Sequence, residues 1–194
     1  MYAVNQEYEA VLEVKQSKFL AFVLPMENLG KRLDALKVLH PKARHYVVAW
    51  RKINEYEQVV EYSTDDGEPK GTAGRPVLNV LRGEDLINSA VIIVRYFGGT
   101  KLGTGGMVRA YSDAAKQVLQ EAKLMSFEIR KLIEVSVAYH LNQRFKHYIE
   151  SHSLRVTQTE FANDQVVYEL YVTKQERQSL EEYVLSEHII NIKH

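Results

Sequence analysis

The 194-residue chain contains no cysteine. Disulfides, thiolate metal sites and cysteine nucleophiles are therefore excluded, and the composition fits a reducing, cytoplasmic compartment. An excess of one charge is missing too. The 25 Lys and Arg side chains balance 25 Asp and Glu, for a formal net charge of +0. Nothing in the total pulls the chain toward nucleic acid or an acidic membrane. Splitting near Arg130 leaves 18 basic and 16 acidic side chains (+2) in residues 1–130, and 7 and 9 (−2) in residues 131–194. Neither part is a basic module. Long apolar runs are also lacking. Residues 19–25 are far too few to span a bilayer, and residues 1–14 alternate apolar and acidic positions, unlike a signal peptide. The expectation is a soluble protein with no membrane partner.

Several catalytic signatures are absent as well. Lys101 is followed by Leu102 rather than Ser or Thr, so there is no Walker sequence. No serine sits in a nucleophile elbow. No second His stands at ligand spacing from His45, which argues against a metal there and for a structural or hydrogen-bonding histidine. His147 and His152 read as surface residues. No catalytic residue, metal site or cofactor is assigned.

What the chain does have is glycine in one place. Five of its ten glycines, Gly98, Gly99, Gly103, Gly105 and Gly106, lie within nine positions, and Gly67, Gly71, Gly74 and Gly83 lie a short way upstream. A buried-strand pattern over residues 90–97 precedes the cluster, and a helix pattern over 107–122 follows it. A strand, a glycine-rich turn and a helix together expose backbone N–H groups at a helix N-terminus, where the dipole favours an anion. Arg75, Arg95, Lys101 and Arg109 flank the segment. The candidate anion-binding set is Arg75, Arg95, Gly98, Gly99, Lys101, Gly103, Gly105, Gly106 and Arg109. The other reading is a tight connection with no ligand.

A chain of this length makes one large domain or two small ones. Residues 8–14 and 19–24 alternate as a hairpin around a turn at 15–18. Leu29, Leu33, Leu36 and Leu39 recur at helix spacing up to Pro41. Residues 45–51 and 58–62 read as paired strands carrying Tyr46, Trp50 and Tyr62, more often core or half-core than a stacking platform. Residues 63–76 have no periodicity, and a loop this long inside a domain is usually functional or mobile. Pro76 opens a short helix that Gly83 ends. In the helix after the glycines, Val108, Tyr111, Ala115, Val118 and Leu119 form the expected apolar stripe. Character changes near Arg130, so the expected domains are 1–130 and 131–194. The second follows the order strand 132–139, helix 142–151, strands 156–161 and 166–172, helix 175–186 and strand 189–192. That order is the ferredoxin-like βαββαβ pattern, and the fold class is α+β.

Asp65, Asp66 and Glu68 place three carboxylates within four positions. Carboxylates so close can do acid–base work or hold Mg²⁺, or they are solvated turn residues. Arg95 ends an apolar strand and needs a carboxylate or an anionic ligand. An internal ion-pair network with the 65–68 carboxylates is therefore the alternative to an anion site.

The run Asp65-Asp66-Gly67-Glu68-Pro69-Lys70-Gly71-Thr72-Ala73-Gly74-Arg75-Pro76, with Val94-Arg95-Tyr96-Phe97-Gly98-Gly99-Thr100-Lys101-Leu102-Gly103 and Gly105-Gly106-Met107-Val108-Arg109-Ala110-Tyr111, resembles the signature of the IMPACT/YigZ family. Ser17-Lys18-Phe19 and residues 45–50 fall where that family has shorter motifs. The resemblance covers roughly residues 10–125; residues 131–194 resemble the extra domain of bacterial members, with a weaker signal. It implies a first domain like domain 2 of ribosomal protein S5 and a second like the small α/β domains of elongation factor G. It also implies a role in translation, because eukaryotic members compete for a ribosome-associated activator of a translation-initiation-factor kinase. It carries no catalytic residues. A weaker similarity links the 102–106 turn to the phosphate loop of GHMP-type kinases. The function expected is non-enzymatic binding of RNA, the ribosome or a translation factor through the glycine-rich surface. The alternatives are a phosphate- or nucleotide-binding enzyme using Asp65, Asp66 or Glu68, and a protein-interaction module.

Overall fold

In the computed structural model, which describes residues 1–186 and 191–193, short β1 (Tyr2–Ala3) is followed by the hairpin of β2 (Tyr8–Val14) and β3 (Ser17–Pro25). Only Lys15 and Gln16 make the turn, both at positive φ (47° and 65°). Two such residues match the twist of a tight hairpin, so Ser17 and Lys18 belong to the strand rather than to the expected turn. Helix α1 (Leu29–Leu39) ends before Pro41, and β4 (His45–Ile53) pairs with β5 (Val59–Thr64). Helix α2 (Gly74–Gly83), strand β6 (Ser89–Tyr96), helix α3 (Gly103–Glu121) and short β7 (Met125–Ser126) complete the first of two units, Met1–Phe127.

Its main sheet has the order β2-β3-β6-β4-β5, antiparallel throughout. Central β6 is buried from Ser89 to Arg95, as its continuous apolar run requires when both faces are covered. On one face Phe19, Ala21, Val23, Val47, Ala49, Val91 and Ile93 pack under α2 and α3. On the other, Phe22, Leu24, Val48, Ile92 and Val94 pack under α1 through Leu36, Leu33 and Leu29. Strand β1 pairs with β7 and has no counterpart in the sequence reading, two residues being too few to show a period.

Two expectations about α3 are corrected. The helix starts at Gly103, four residues before the apolar periodicity, so Gly103, Gly105 and Gly106 form its first turn and only Gly98 and Gly99 precede it. Its buried face is Met107, Ala110, Tyr111, Ala114, Ala115, Val118 and Leu119. Val108, expected in that stripe, is 38% exposed.

The second unit, Glu128–His194, holds β8 (Arg130–Ala138), α4 (Asn142–Ser151), β9 (Arg155–Phe161), β10 (Gln165–Thr173), α5 (Lys174–Ser186) and β11 (Asn191–Lys193). Its antiparallel sheet has the order β11-β8-β10-β9. Inward residues of β8 and β10, with Phe145, Ile149, Leu180 and Val184 of the helices, make its core. Of the strand expected over 189–192, positions 189 and 190 lie outside the described residues. No helix among the described residues is long and apolar enough to cross a membrane.

Candidate functional site

The three central strands of the first unit place Phe19, Arg95 and His45 side by side. Phe19 is opposite Arg95 on β3 and β6, and His45 is opposite Arg95 on β4 and β6. This row closes the end of the sheet where β6 leads into the glycine segment. Arg95 is 5% exposed. Its guanidinium carbon lies 5.4 Å from the centre of the Phe19 ring and 5.8 Å from that of Phe97, within cation–π range of both.

The loop after β5 supplies the counter-charge. Glu68 is buried, and its Oε1 accepts hydrogen bonds from Arg95 Nη1 at 2.6 Å and from the Tyr111 hydroxyl of α3 at 2.8 Å. Its Oε2 faces His45 Nε2 at 3.7 Å. His45 Nδ1 donates to the Asp66 carbonyl at 2.7 Å. Burial, then the adjacent Glu68 charge, push the Tyr111 hydroxyl well above the ordinary tyrosine range. Tyr111 is therefore a permanent donor, and it also meets Phe19 edge-on at 5.1 Å. The Arg95 Nε is the one buried side-chain donor among the described residues without a partner.

The other two loop carboxylates bind backbone. Asp65 accepts N–H bonds from Gly71 at 2.7 Å, Ala73 at 3.0 Å and Gly74 at 2.8 Å, so its carboxylate occupies the anion position at the start of α2. Burial raises the Asp65 pKa, but the three amides together hold it below the usual carboxylate range. Asp66 Oδ2 accepts the Tyr46 N–H at 2.6 Å. Among the described residues no group of three or more His, Asp and Glu side chains is placed to hold a metal ion.

The glycines divide by role. Ser17 is fully buried, and its Oγ accepts the Gly98 N–H at 3.1 Å. A Cβ on Gly98 would lie 2.0 Å from the Gln16 carbonyl carbon, so Gly98 is there to let two backbones touch. Gly99 and Gly103 have positive φ, 87° and 72°, with open space around them. No side chain caps α3, and no acidic residue stands in its first turn. Lys101 and Arg109 are exposed there, and an Arg109 Nη1 lies 3.8 Å from where a Gly105 Cβ would be. Lys101 and Arg109 form no ion pair among the described residues.

The candidate residues thus fall into three places. Arg95 joins Glu68 in the buried cluster. Gly98, Gly99, Lys101, Gly103, Gly105, Gly106 and Arg109 form the exposed turn and the start of α3. Arg75 is exposed on α2 and lines a separate cleft with Val108. Three members of the cluster were not singled out as site residues, and of these His45 read as a structural or hydrogen-bonding histidine. Tyr111 read as one more apolar-stripe residue, although a tyrosine at a core position needs a partner for its hydroxyl. Phe19 carried only a short motif.

The sequence profile of the Impact N-terminal domain matches residues 15–119, more than half of the chain and every residue of this cluster. An IMPACT family member of Haemophilus influenzae is 40% identical over 124 residues, 61% of this chain and 57% of its own length. YigZ of Escherichia coli, another member, is 37% identical over 115 residues, covering 57% of this chain and 56% of YigZ. This chain thus spans little more than half the length of these two relatives. YvyE of Bacillus subtilis, also an IMPACT family member, is 26% identical over 186 residues, 94% of this chain and 84% of YvyE. A crystal structure of a hypothetical protein shares the fold, with a TM-score of 0.61 at 23% identity, over 99% of this chain and 94% of that one. The profile match and these relatives place the chain in the IMPACT family.

Proposed function

We propose that the protein is a non-enzymatic, translation-associated binding protein that meets the phosphates of RNA, in the ribosome or free, at the glycine-rich end of the first unit. One observation carries this reading. The signature-loop carboxylates satisfy one arginine, Arg95, and backbone amides, so the exposed cations of that end keep their charge. Lys15, in the hairpin turn packed on Gly98, Arg44, whose N–H reaches the Arg95 carbonyl, Lys70, Lys101 and Arg109 form no ion pair among the described residues. The overall charge balance does not oppose this, because attraction depends on local potential.

The translation context comes from the family resemblance. The sheet with α2 and α3 on one face supports likeness to domain 2 of ribosomal protein S5, and the β8-to-β11 order supports a ferredoxin-like second domain. The enzymatic alternative needs a free carboxylate beside the turn. Asp65 is bound to three amides and Glu68 to Arg95 and Tyr111, and exposed Asp66 accepts the Tyr46 N–H, which favours binding over catalysis.

The test is binding of single-stranded RNA and of ribosomes across a salt series. A protein contacting Z phosphates loses affinity with a slope of about −0.7Z on single strands. Lys101→Glu with Arg109→Glu is expected to flatten that slope by one to two contacts' worth. Absence of binding to both targets at low salt defeats the proposal.

A further inference from the structure

A cleft of about 450 Å³ separates α2 from α3, away from the Glu68 cluster. Both helices run back along the sheet from the same end. Gly74 at the start of α2 packs on Thr64, the last residue of β5, and α3 follows the end of β6. Helix α3 contributes Val108, Ser112 and Lys116, four residues apart and so on one ridge. Helix α2 contributes Pro76 and Val80 as floor and Arg75 as a rim, and Glu84, just past its end, forms another. Gly71 and Gly83, without side chains, leave the ends open. Val108, beside the buried face of α3, is 38% exposed, which adds an aliphatic surface to the cleft. Arg75 and Lys116 are exposed and form no ion pair among the described residues.

We propose that this cleft docks an acidic, partly aliphatic peptide segment of a partner protein. Its carboxylates pair with Arg75 and Lys116, and its apolar side chain sits on Pro76, Val80 and Val108. Charge decides the sign of the occupant, since two unpaired cations flank an apolar floor. Two features favour peptide over nucleic acid. No aromatic ring lines the cleft to stack a base. Glu84 at one end of it can accept a peptide N–H. At about 1.5 Å per helical residue, the ten residues of α2 span about 15 Å, the length of four to five extended residues. The occupant is distinct from the phosphate partner proposed above, whose contacts are drawn from Lys15, Arg44, Lys70, Lys101 and Arg109.

The experiment selects short random peptides on the full chain by phage display. Enriched peptides are then labelled and their Kd measured by fluorescence anisotropy. Enriched sequences are expected to carry two or more Asp or Glu around Leu, Ile, Val or Met. Arg75→Glu with Lys116→Glu weakens them about tenfold or more, and Val108→Glu weakens them as well. Arg75→Gln with Lys116→Gln gives the same direction with the smallest burden on folding, and circular dichroism verifies that each variant is folded. Lys101→Glu with Arg109→Glu leaves peptide binding unchanged. Enrichment of no acidic–aliphatic motif overturns the proposal, as does equal binding to the Arg75/Lys116 variants. So does loss of oligouridylate binding, rather than peptide binding, in those variants, which makes the cleft a nucleic-acid surface. Failure of the RNA proposal alone shows as absent RNA binding with peptide binding intact.

Discussion

Replacing Glu68 with alanine tests whether a buried charge pins the 65–76 loop. The side chains of Glu68 and Arg95 are 5% and 7% exposed. Truncation leaves the Arg95 guanidinium in that burial without its counter-charge, beside an Nε that already lacks a partner, and strands the Tyr111 hydroxyl. Removing one member of a buried pair costs about 3–5 kcal/mol. The individual bonds agree, with about 1.5–3 kcal/mol for the charged one and about 1 kcal/mol for the hydroxyl. Against a domain stability of about 5–15 kcal/mol, the loss is large. The protein's single tryptophan, Trp50, lies in the first unit, so urea unfolding followed by its fluorescence reports on that unit. Glu68→Gln keeps an acceptor and costs less, about 1–2 kcal/mol. Glu68→Leu with Arg95→Met removes both charges and recovers most of the loss, as apolar replacement of buried pairs often does. A Glu68→Ala midpoint equivalent to less than about 1 kcal/mol refutes the reasoning, because the carboxylate then contributes no more than a solvated surface charge.

Tyr111→Phe removes one bond to Glu68 and keeps the ring against Phe19, and a loss of about 1 kcal/mol is expected in the same urea experiment. Gly98→Ala drives a Cβ to within 2.0 Å of Gln16 backbone; overpacking of about 1–3 kcal/mol is expected as a lowered Tm by Trp50 fluorescence. Asp65→Asn weakens the bonds to Gly71, Ala73 and Gly74, with a loss of about 1–2 kcal/mol at neutral pH. Because the folded Asp65 pKa lies below the unfolded value of about 3.9, its charge stabilises the native state above about pH 4. The gap between wild type and Asp65→Asn, measured by urea unfolding at several pH values, therefore closes as pH falls through the folded value; a gap that widens in acid contradicts the assignment.

Much of the first unit was legible because its signals are local. The run 90–97 announced a buried strand by being apolar at every position but Arg95, and the leucine spacing of α1 ended at Pro41 as proline chemistry requires. The start of α3 was not legible. Helix periodicity is carried by side chains, and Gly103, Gly105 and Gly106 have none to show it. Val108 was misplaced for a related reason, since a stripe judged by hydrophobicity alone admits neighbours of the true face. The turn expected over 15–18 proved to be two residues, Lys15 and Gln16; its narrower bounds were not legible because neither is a residue type that marks positive φ. The convergence of Phe19, His45, Glu68, Arg95 and Tyr111 depends on sheet register between strands far apart in the chain, which composition and period do not encode.

The choice between an anion site and an internal ion-pair network was left open by the sequence, and the geometry divides it residue by residue. The path through Gly67 and Pro69 turns Glu68 inward, where Arg95 and Tyr111 wait. The same path holds Asp65 against the opening amides of α2 and Asp66 against Tyr46 N–H. Three carboxylates therefore neutralise one arginine. Lys101, beside the start of α3, remains exposed where the helix dipole repels cations, at a cost in stability, and Arg109 stands exposed in the second turn. That cost, small at about 0.3–1 kcal/mol, is what makes charge removal informative. Lys101→Gln with Arg109→Gln should leave the first unit as stable as wild type or slightly more so while RNA affinity falls, whereas residues kept for folding lose both together.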